Sequence, residues 1–271
     1  MSQRMPTLFI SHGGGPWPFM DMSRLAPKPV WDRLEAYLRG IDASLPARPR
    51  AVLVVSGHWE EAQPTVNSGA HPPLLFDYYG FPEHTYRLHY PAPGSPALAG
   101  RVRSLLQASG IPSGEDAERG FDHGVFVPFM LMYPQADMPI VQLSLQQELD
   151  PAAHLAIGRA LAPLRDEGVL IVGSGLSYHN LSAFVSQDPR HLDAASAFDG
   201  WLTDAVEAPD RATRDARLIR WAEAPGARLS HPREDHLLPL MVTVGAAGSD
   251  PGRRDYGDLV SGKTVSGYRF G

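Results

Sequence analysis

Three apolar runs in this sequence each lead to a histidine. Thr7-Leu-Phe-Ile-Ser11 runs into His12-Gly-Gly-Gly-Pro16, Ala51-Val-Leu-Val-Val-Ser56 into Gly57-His58-Trp59, and Val169-Leu-Ile-Val-Gly-Ser174 on toward His179. A neutral imidazole is both a metal ligand and the side chain best matched to proton transfer near pH 7. A fourth segment, Ser230-His-Pro-Arg-Glu-Asp-His236, offers His231, Glu234, Asp235 and His236, all with ligand chemistry. Two histidines and one carboxylate with open positions suit Fe(II) and oxygen activation, whereas three histidines also suit zinc. His123 stands in Gly120-Phe-Asp-His-Gly124, where Asp122 is placed to orient its ring. A single histidine after a strand is more often a hydrogen-bonded packing residue than a ligand. It is the recurrence that points to a metal centre.

For these residues to meet, the runs before them must lie side by side. The β-branched character of Ala51 to Ser56 is that of a strand covered on both faces, and Pro139 to Ser144 has it too. Helix-like segments lie between the runs, at Val30 to Leu38, Ser95 to Ala108, Ala152 to Leu164, Asp193 to Glu207 and Asp235 to Val244. Strands alternating with helices predict an α/β fold: a three-layer α/β/α domain with a mostly parallel central sheet. In such sheets ligands bind outside the carboxyl ends of the strands, where His12, His58 and His179 fall.

Small hairpins are expected near Glu61 to Gly69 and Thr264 to Phe270. The connection from His71 to Gly94 is long and has no sustained period, which suits an active-site wall. Trp17 and the connection's Phe76, Tyr78, Tyr79 and Tyr86 can line a pocket for a planar substrate, with Tyr79 taken as a substrate contact, although packing is the commoner use of such rings. His71, His84 and His89 belong to this loop, and His154 and His191 read as exposed helix residues.

The 271 residues carry no fixed-period repeat and no Gly/Ser linker, so residues 1–271 read as a single catalytic domain. A net charge of −6 lacks the basic footprint of a protein that binds nucleic acid phosphates. With no cysteine there is no disulfide framework, thiolate site or cysteine nucleophile, so any metal is held by His, Asp or Glu. The apolar runs fall short of a membrane span, and the N-terminus lacks the pattern of a signal peptide, so the expected location is cytoplasmic. The His12 to Pro16 loop has neither a Gly-Lys-Ser/Thr ending nor a spaced Gly-x-Gly-x-x-Gly, which argues against a nucleotide site.

Taken together, Phe9-Ile-Ser-His-Gly-Gly-Gly, Val54-Val-Ser-Gly-His-Trp, Gly80-Phe-Pro, Tyr90-Pro-Ala-Pro-Gly-Ser-Pro, Gly120-Phe-Asp-His-Gly, Val141-Gln-Leu-Ser, Gly173-Ser-Gly-Leu-Ser-Tyr-His-Asn-Leu and His231-Pro-Arg-Glu-Asp-His run in order through most of the chain. The set resembles the DOPA-dioxygenase type of class III extradiol ring-cleavage dioxygenases, within the protocatechuate 4,5-dioxygenase catalytic-subunit-like superfamily. The resemblance implies metal ligands at His12 and His58. The third ligand is a glutamate in the protocatechuate relatives, while the DOPA type supplies a histidine from the segment matching His231 to His236. His236 is the preferred third ligand, with His231 as the alternative, because a residue in a helix's first turn is better held than one preceding a proline. The resemblance further assigns acid–base chemistry to His179 and substrate binding or charge stabilisation to His123.

On that reading Fe(II) supports activity and Zn(II) can also occupy the site. The partners are O2 and a small aromatic diol of DOPA-like, catechol type, opened to a muconic semialdehyde, and the protein is a monomer or homodimer. Two other classes compete. A zinc hydrolase would use a metal-bound hydroxide with His179 or Glu234 moving the proton. A binding protein would keep the pocket without turnover.

Overall fold

The computed structural model describes residues 4–20 and 30–271. Eight strands form one sheet: β1 (Thr7–Ser11), β2 (Ala51–Glu61), β3 (Thr65–Asn67), β4 (Gly114–Asp116), β5 (Ile140–Gln146), β6 (Val169–Gly175), β7 (Gly252–Val260) and β8 (Lys263–Phe270). Their order across the sheet is β4-β3-β5-β2-β6-β1-β8-β7. The central strands β5, β2, β6 and β1 are parallel, and β3 and β8 join them antiparallel on either side. Among the described residues eight α-helices accompany them: α1 (Asp32–Ser44), α2 (Pro96–Ala108), α3 (His123–Met132), α4 (Pro151–Leu161), α5 (Pro189–Val206), α6 (Arg211–Ile219), α7 (Ala227–Ser230) and α8 (Leu238–Ala247).

Because side chains alternate along a strand, the apolar runs feed two cores. Leu8, Ile10, Val52, Val54, Leu170 and Val172 pack beneath Leu34, Leu38 and Ile41 of α1 and the almost wholly apolar α3. Phe9, Leu53, Val55, Val141, Leu143 and Ile171 point the other way, toward α2, α4, α5 and α8. Helices on both faces of a mostly parallel sheet make the α/β/α layering that the run character predicts. None of the described helices is long and apolar enough to cross a membrane.

The four apolar strands occupy nearly the expected residues, and the helix starts follow their caps. Ser95-Pro96, Asp150-Pro151 and Asp188-Pro189 each put a capping side chain before a proline at the first helical position. α5 therefore begins at Pro189, ahead of the expected Asp193. The C-terminal hairpin pairs β7 with β8 through Ser261 and Gly262, whose φ values of 49° and 80° are those of a two-residue hairpin turn. The hairpin expected from Glu61 to Gly69 does not form. At Glu60 and Glu61 β2 is paired with β5, and the chain crosses to the far edge of β5, where β3 pairs at Val66↔Leu143 and also with β4.

His154 also departs from expectation, being fully buried rather than exposed on α4. Its Nε2 accepts from the Gln146 backbone N–H at 3.1 Å and its Nδ1 lies 2.7 Å from the Asp150 carbonyl, an arrangement that only the neutral Nδ1–H form satisfies. Burial, opposed by the Asp150 carbonyl, lowers its pKa. The unfolded chain binds this proton below about pH 6.5 while the folded one resists it, so the stability is complete above that pH and falls as the pH drops. The pH dependence of urea unfolding should therefore be shallower in His154→Gln than in the native chain between pH 6.5 and 5, by up to about 1.4 kcal/mol per pH unit. Identical slopes would refute the assignment.

Candidate metal centre

The register sets the carboxyl ends of three strands in one row, with Ser11 of β1 opposite Gly175 of β6 and Ser174 of β6 opposite Ser56 of β2. His12 follows β1 directly, and its backbone N–H donates to the Gly175 carbonyl at 3.1 Å. The indole N–H of Trp17 holds the His12 carbonyl at 2.8 Å. Beyond Ser56, β2 leaves β6, and its register against β5 shifts between Val55 and Glu60. Such irregularities re-aim side chains, and His58 lies within this one.

His236 arrives from the far end of the chain. It lies in the turn before α8, not in the first turn of the helix as the sequence suggests, because the helix begins at Leu238. Its carbonyl accepts from the Leu176 N–H at 3.1 Å, which pins the turn to the end of β6. A Cβ at Gly175 would stand 2.1 Å from that carbonyl, so this approach requires glycine. A two-pronged ion pair from Arg233 to Glu60, both contacts 2.5 Å, ties the same segment to β2.

Three Nε2 atoms converge here: His12 to His58 at 3.2 Å and His58 to His236 at 3.1 Å. The opposite ring nitrogens fix the tautomers. Ser174 donates its hydroxyl to the Gly124 carbonyl, so its oxygen accepts from His12 Nδ1–H at 3.1 Å. His236 Nδ1 faces Asp235 at 2.8 Å, and His58 Nδ1 faces Asp77 at 3.5 Å. Carboxylates only accept, so each ring carries its proton on Nδ1 and turns a bare Nε2 lone pair toward the others. Lone pairs so close repel unless a cation lies among them. Imidazoles sharing one ion at about 2.0–2.1 Å stand roughly 3 Å apart, so the donor set fits a metal.

Electrostatics keep the set ready to bind. Burial first, then the neighbouring imidazoles, hold His12 and His236 far below the usual histidine pKa. Burial and His123 push His58 down to about 3, against the pull of Asp77. Neutral rings are what a metal needs, since protonated imidazole has no lone pair to give.

Two further histidines face the cluster. His123 opens α3, and its backbone N–H and Nδ1 both meet Asp77 Oδ1, at 3.0 and 2.8 Å. Its ring lies 4.0 Å from that of His58, and His12, His58 and His123 form a set whose ligand atoms lie within 4.8 Å of one another. His179 stacks on His236 at 3.4 Å between ring centroids, and its Nδ1 lies 4.0 Å from Asp235. With Asp235 and His236 it makes a second such set. Burial, countered by Asp235, lowers the pKa of His179.

Other expected participants lie elsewhere. His231 is buried between Phe198 and Trp221, with Nε2 2.9 Å from the Ser177 carbonyl, and does not join the convergence. Burial lowers its pKa to about 4. Tyr79 is 91% exposed, and the ring that meets His123 edge-on, 5.7 Å away, belongs to Tyr78. Without a period in the 71–94 connection, adjacent tyrosines there cannot be told apart from sequence. Phe76, Tyr78 and Tyr86 pack on one another, and Trp17 is buried against Trp31. His84 is bonded to the Phe19 carbonyl at 2.8 Å.

Asp122 does not orient His123, for it is buried under β2 and β5, where it accepts from Ser56 at 2.7 Å and from Gln142. Burial, then the nearby Asp77, raises its pKa. Sequence reading missed Asp77 and Ser174. Ser174 carried a faint signal, since Ser56 and Ser174 are polar residues at matching ends of apolar runs, but Asp77 carried none.

The family model described as the catalytic LigB subunit of aromatic ring-opening dioxygenase matches residues 6–269. A protein of Beta vulgaris named "4,5-DOPA dioxygenase extradiol" is 42% identical over 245 residues, 90% of this chain and 87% of that one. One of the same name from Escherichia coli (strain K12) is 38% identical over 249 residues, 90% and 86% of the two chains. The crystal structure of an uncharacterized protein from Escherichia coli K12 superposes with a TM-score of 0.76 at 32% identity, covering 99% of this chain and all of the other.

Proposed function

This chain belongs to the LigB family of aromatic ring-opening dioxygenases and is an extradiol dioxygenase, and we propose that residues 1–271 act as one catalytic domain opening a catechol of DOPA-like type. The observation that carries the reading is the convergence of three bare Nε2 atoms, from buried His12 and His236 and from half-buried His58. We assign these three as the metal ligands. His231 is not needed, since its Nε2 is committed to a carbonyl. When bound, Fe(II) would supply a Lewis-acid seat for the catechol and electron exchange with O2, whereas Zn(II) would supply the first and not the second.

The remaining steps fall to the side chains. His179, kept neutral by burial, takes a catechol hydroxyl proton on a ring nitrogen, and Asp235 favours the charged form that results. That proton is returned later in the turnover, so none is gained or lost overall. His123, with Nδ1–H given to Asp77, keeps Nε2 toward the substrate. The Tyr78 side of the 71–94 loop walls the site, and exposed Tyr79 has at most a part at its mouth. Both atoms of O2 enter the product as the carbon–carbon bond beside one hydroxyl breaks, giving a muconic semialdehyde. We assign the reaction to the cytoplasm, in a monomer or homodimer, on the ordinary composition of the chain.

Anaerobic reconstitution with Fe(II), followed by air and a panel of catechols, should give oxygen uptake matched by a visible product absorbance. The zinc-loaded protein should give neither. No uptake on any catechol overturns the reading, and oxygen-independent ester or amide cleavage with zinc would replace it by a hydrolase.

A further inference from the structure

Two carboxylates among the described residues each face two of the five clustered imidazoles: Asp235 faces His236 and His179, and Asp77 faces His123 and His58. Asp77 Oδ1 accepts both the backbone N–H and the Nδ1 of His123, at 3.0 and 2.8 Å, while its Oδ2 lies 3.5 Å from His58 Nδ1. The loop that brings it is fixed to the start of α3 by the Leu75 N–H on the Phe121 carbonyl and the Phe121 N–H on the Pro73 carbonyl, both 2.8 Å. Asp77 and His123 are thus held on neighbouring, mutually bonded backbones, and the carboxylate cannot drift without breaking that pairing.

We propose that Asp77 is a positioning residue for ring opening, holding His123 and His58 in their Nδ1–H tautomers so that both Nε2 atoms face the reacting centre. Free imidazole in water prefers the other tautomer, with the proton on Nε2. In that form His58 would offer no lone pair to an ion, and His123 would lose the Nδ1–H bond to Asp77 that fixes its ring. One aspartate thereby sets the sense of a ligand and of a substrate-facing group together. This inference rests on the catechol-opening reading for its effect on rate, but not for its effect on tautomer.

The test compares Asp77→Asn, which keeps an acceptor oxygen of the same reach, with Asp77→Leu, which keeps the bulk without an acceptor. Long-range nitrogen–proton NMR of the histidine rings in the zinc-loaded protein reads the His123 tautomer directly, and Fe(II)-loaded protein gives kcat and KM for a catechol. The native chain and D77N should show Nδ1–H at His123, with D77N within about tenfold of native kcat. D77L should shift His123 toward Nε2–H, lower kcat by roughly 10–100-fold and bind metal correspondingly more weakly, effects of the size expected for groups that orient ligands. Nε2–H in the native protein, an unshifted tautomer in D77L, or D77N as slow as D77L would each overturn the inference. If D77L does not fold, the native tautomer and D77N decide it. A native chain with the expected tautomer but no ring opening would instead overturn the catechol reading and leave the role of Asp77 standing.

Discussion

His58→Ala should yield a folded protein that neither retains stoichiometric metal nor opens a catechol, with activity lowered by well over the roughly 10–100-fold that ligand-orienting residues contribute. His58 is the middle member of the convergence, 3.2 Å from His12 Nε2 and 3.1 Å from His236 Nε2, so its loss breaks both close contacts. Stability should behave unusually. Burying three lone pairs against one another costs free energy when nothing lies between them, so metal-free His58→Ala should unfold at no lower urea concentration than the metal-free native chain. Adding Zn(II) should then raise the midpoint of the native chain and leave the variant unchanged, because a ligand stabilises only the state that binds it. Metal analysis and paired urea titrations measure both effects. A variant that binds one equivalent of metal as tightly as the native chain would remove His58 from the ligand set.

His179→Gln should separate chemistry from metal binding. Its ring leans on His236, but His236 is held independently by Asp235 at Nδ1 and by Leu176 at its carbonyl. Metal content should therefore stay at the native level, while kcat falls about 10²–10⁴-fold, the usual contribution of a positioned acid–base group. Catechol binding, followed anaerobically, should change far less than kcat. Unaltered turnover would show that another group handles the proton, and lost metal would make His179 part of the ligand shell.

How much of this was legible in the sequence depends on where each residue sits. The strand-end histidines were readable because a buried parallel strand is a continuous apolar run, and the residue after it must emerge at the sheet's rim. The helix starts at Pro96, Pro151 and Pro189 follow cap-and-proline pairs that any reading can find. The pairing of β3 was hidden, since its partners β5 and β4 come from distant parts of the chain. His154 looked exposed because histidine is polar, yet it stands three, four and seven residues before Ile157, Gly158 and Leu161 on the face that α4 buries. His236 does not sit in a helical first turn as the sequence suggested; a tight turn held by hydrogen bonds brings its ring beside His58. Asp77 was invisible, lying in a loop whose path is set by its pairing with Phe121.

The convergence of His12, His58 and His236 also has a consequence for the order of synthesis. His12 follows β1, yet both neighbours of β1 in the sheet come later in the chain: β8, and β6, which holds the turn bearing His236. A chain emerging from the ribosome presents His12 and His58 early, without the third imidazole and without the strand that closes β1 on its outer side. The three imidazoles thus meet only after the turn bearing His236 has docked on the end of β6, so an ion that needed all three would be selected from those around the folded domain and not from those met by the growing chain.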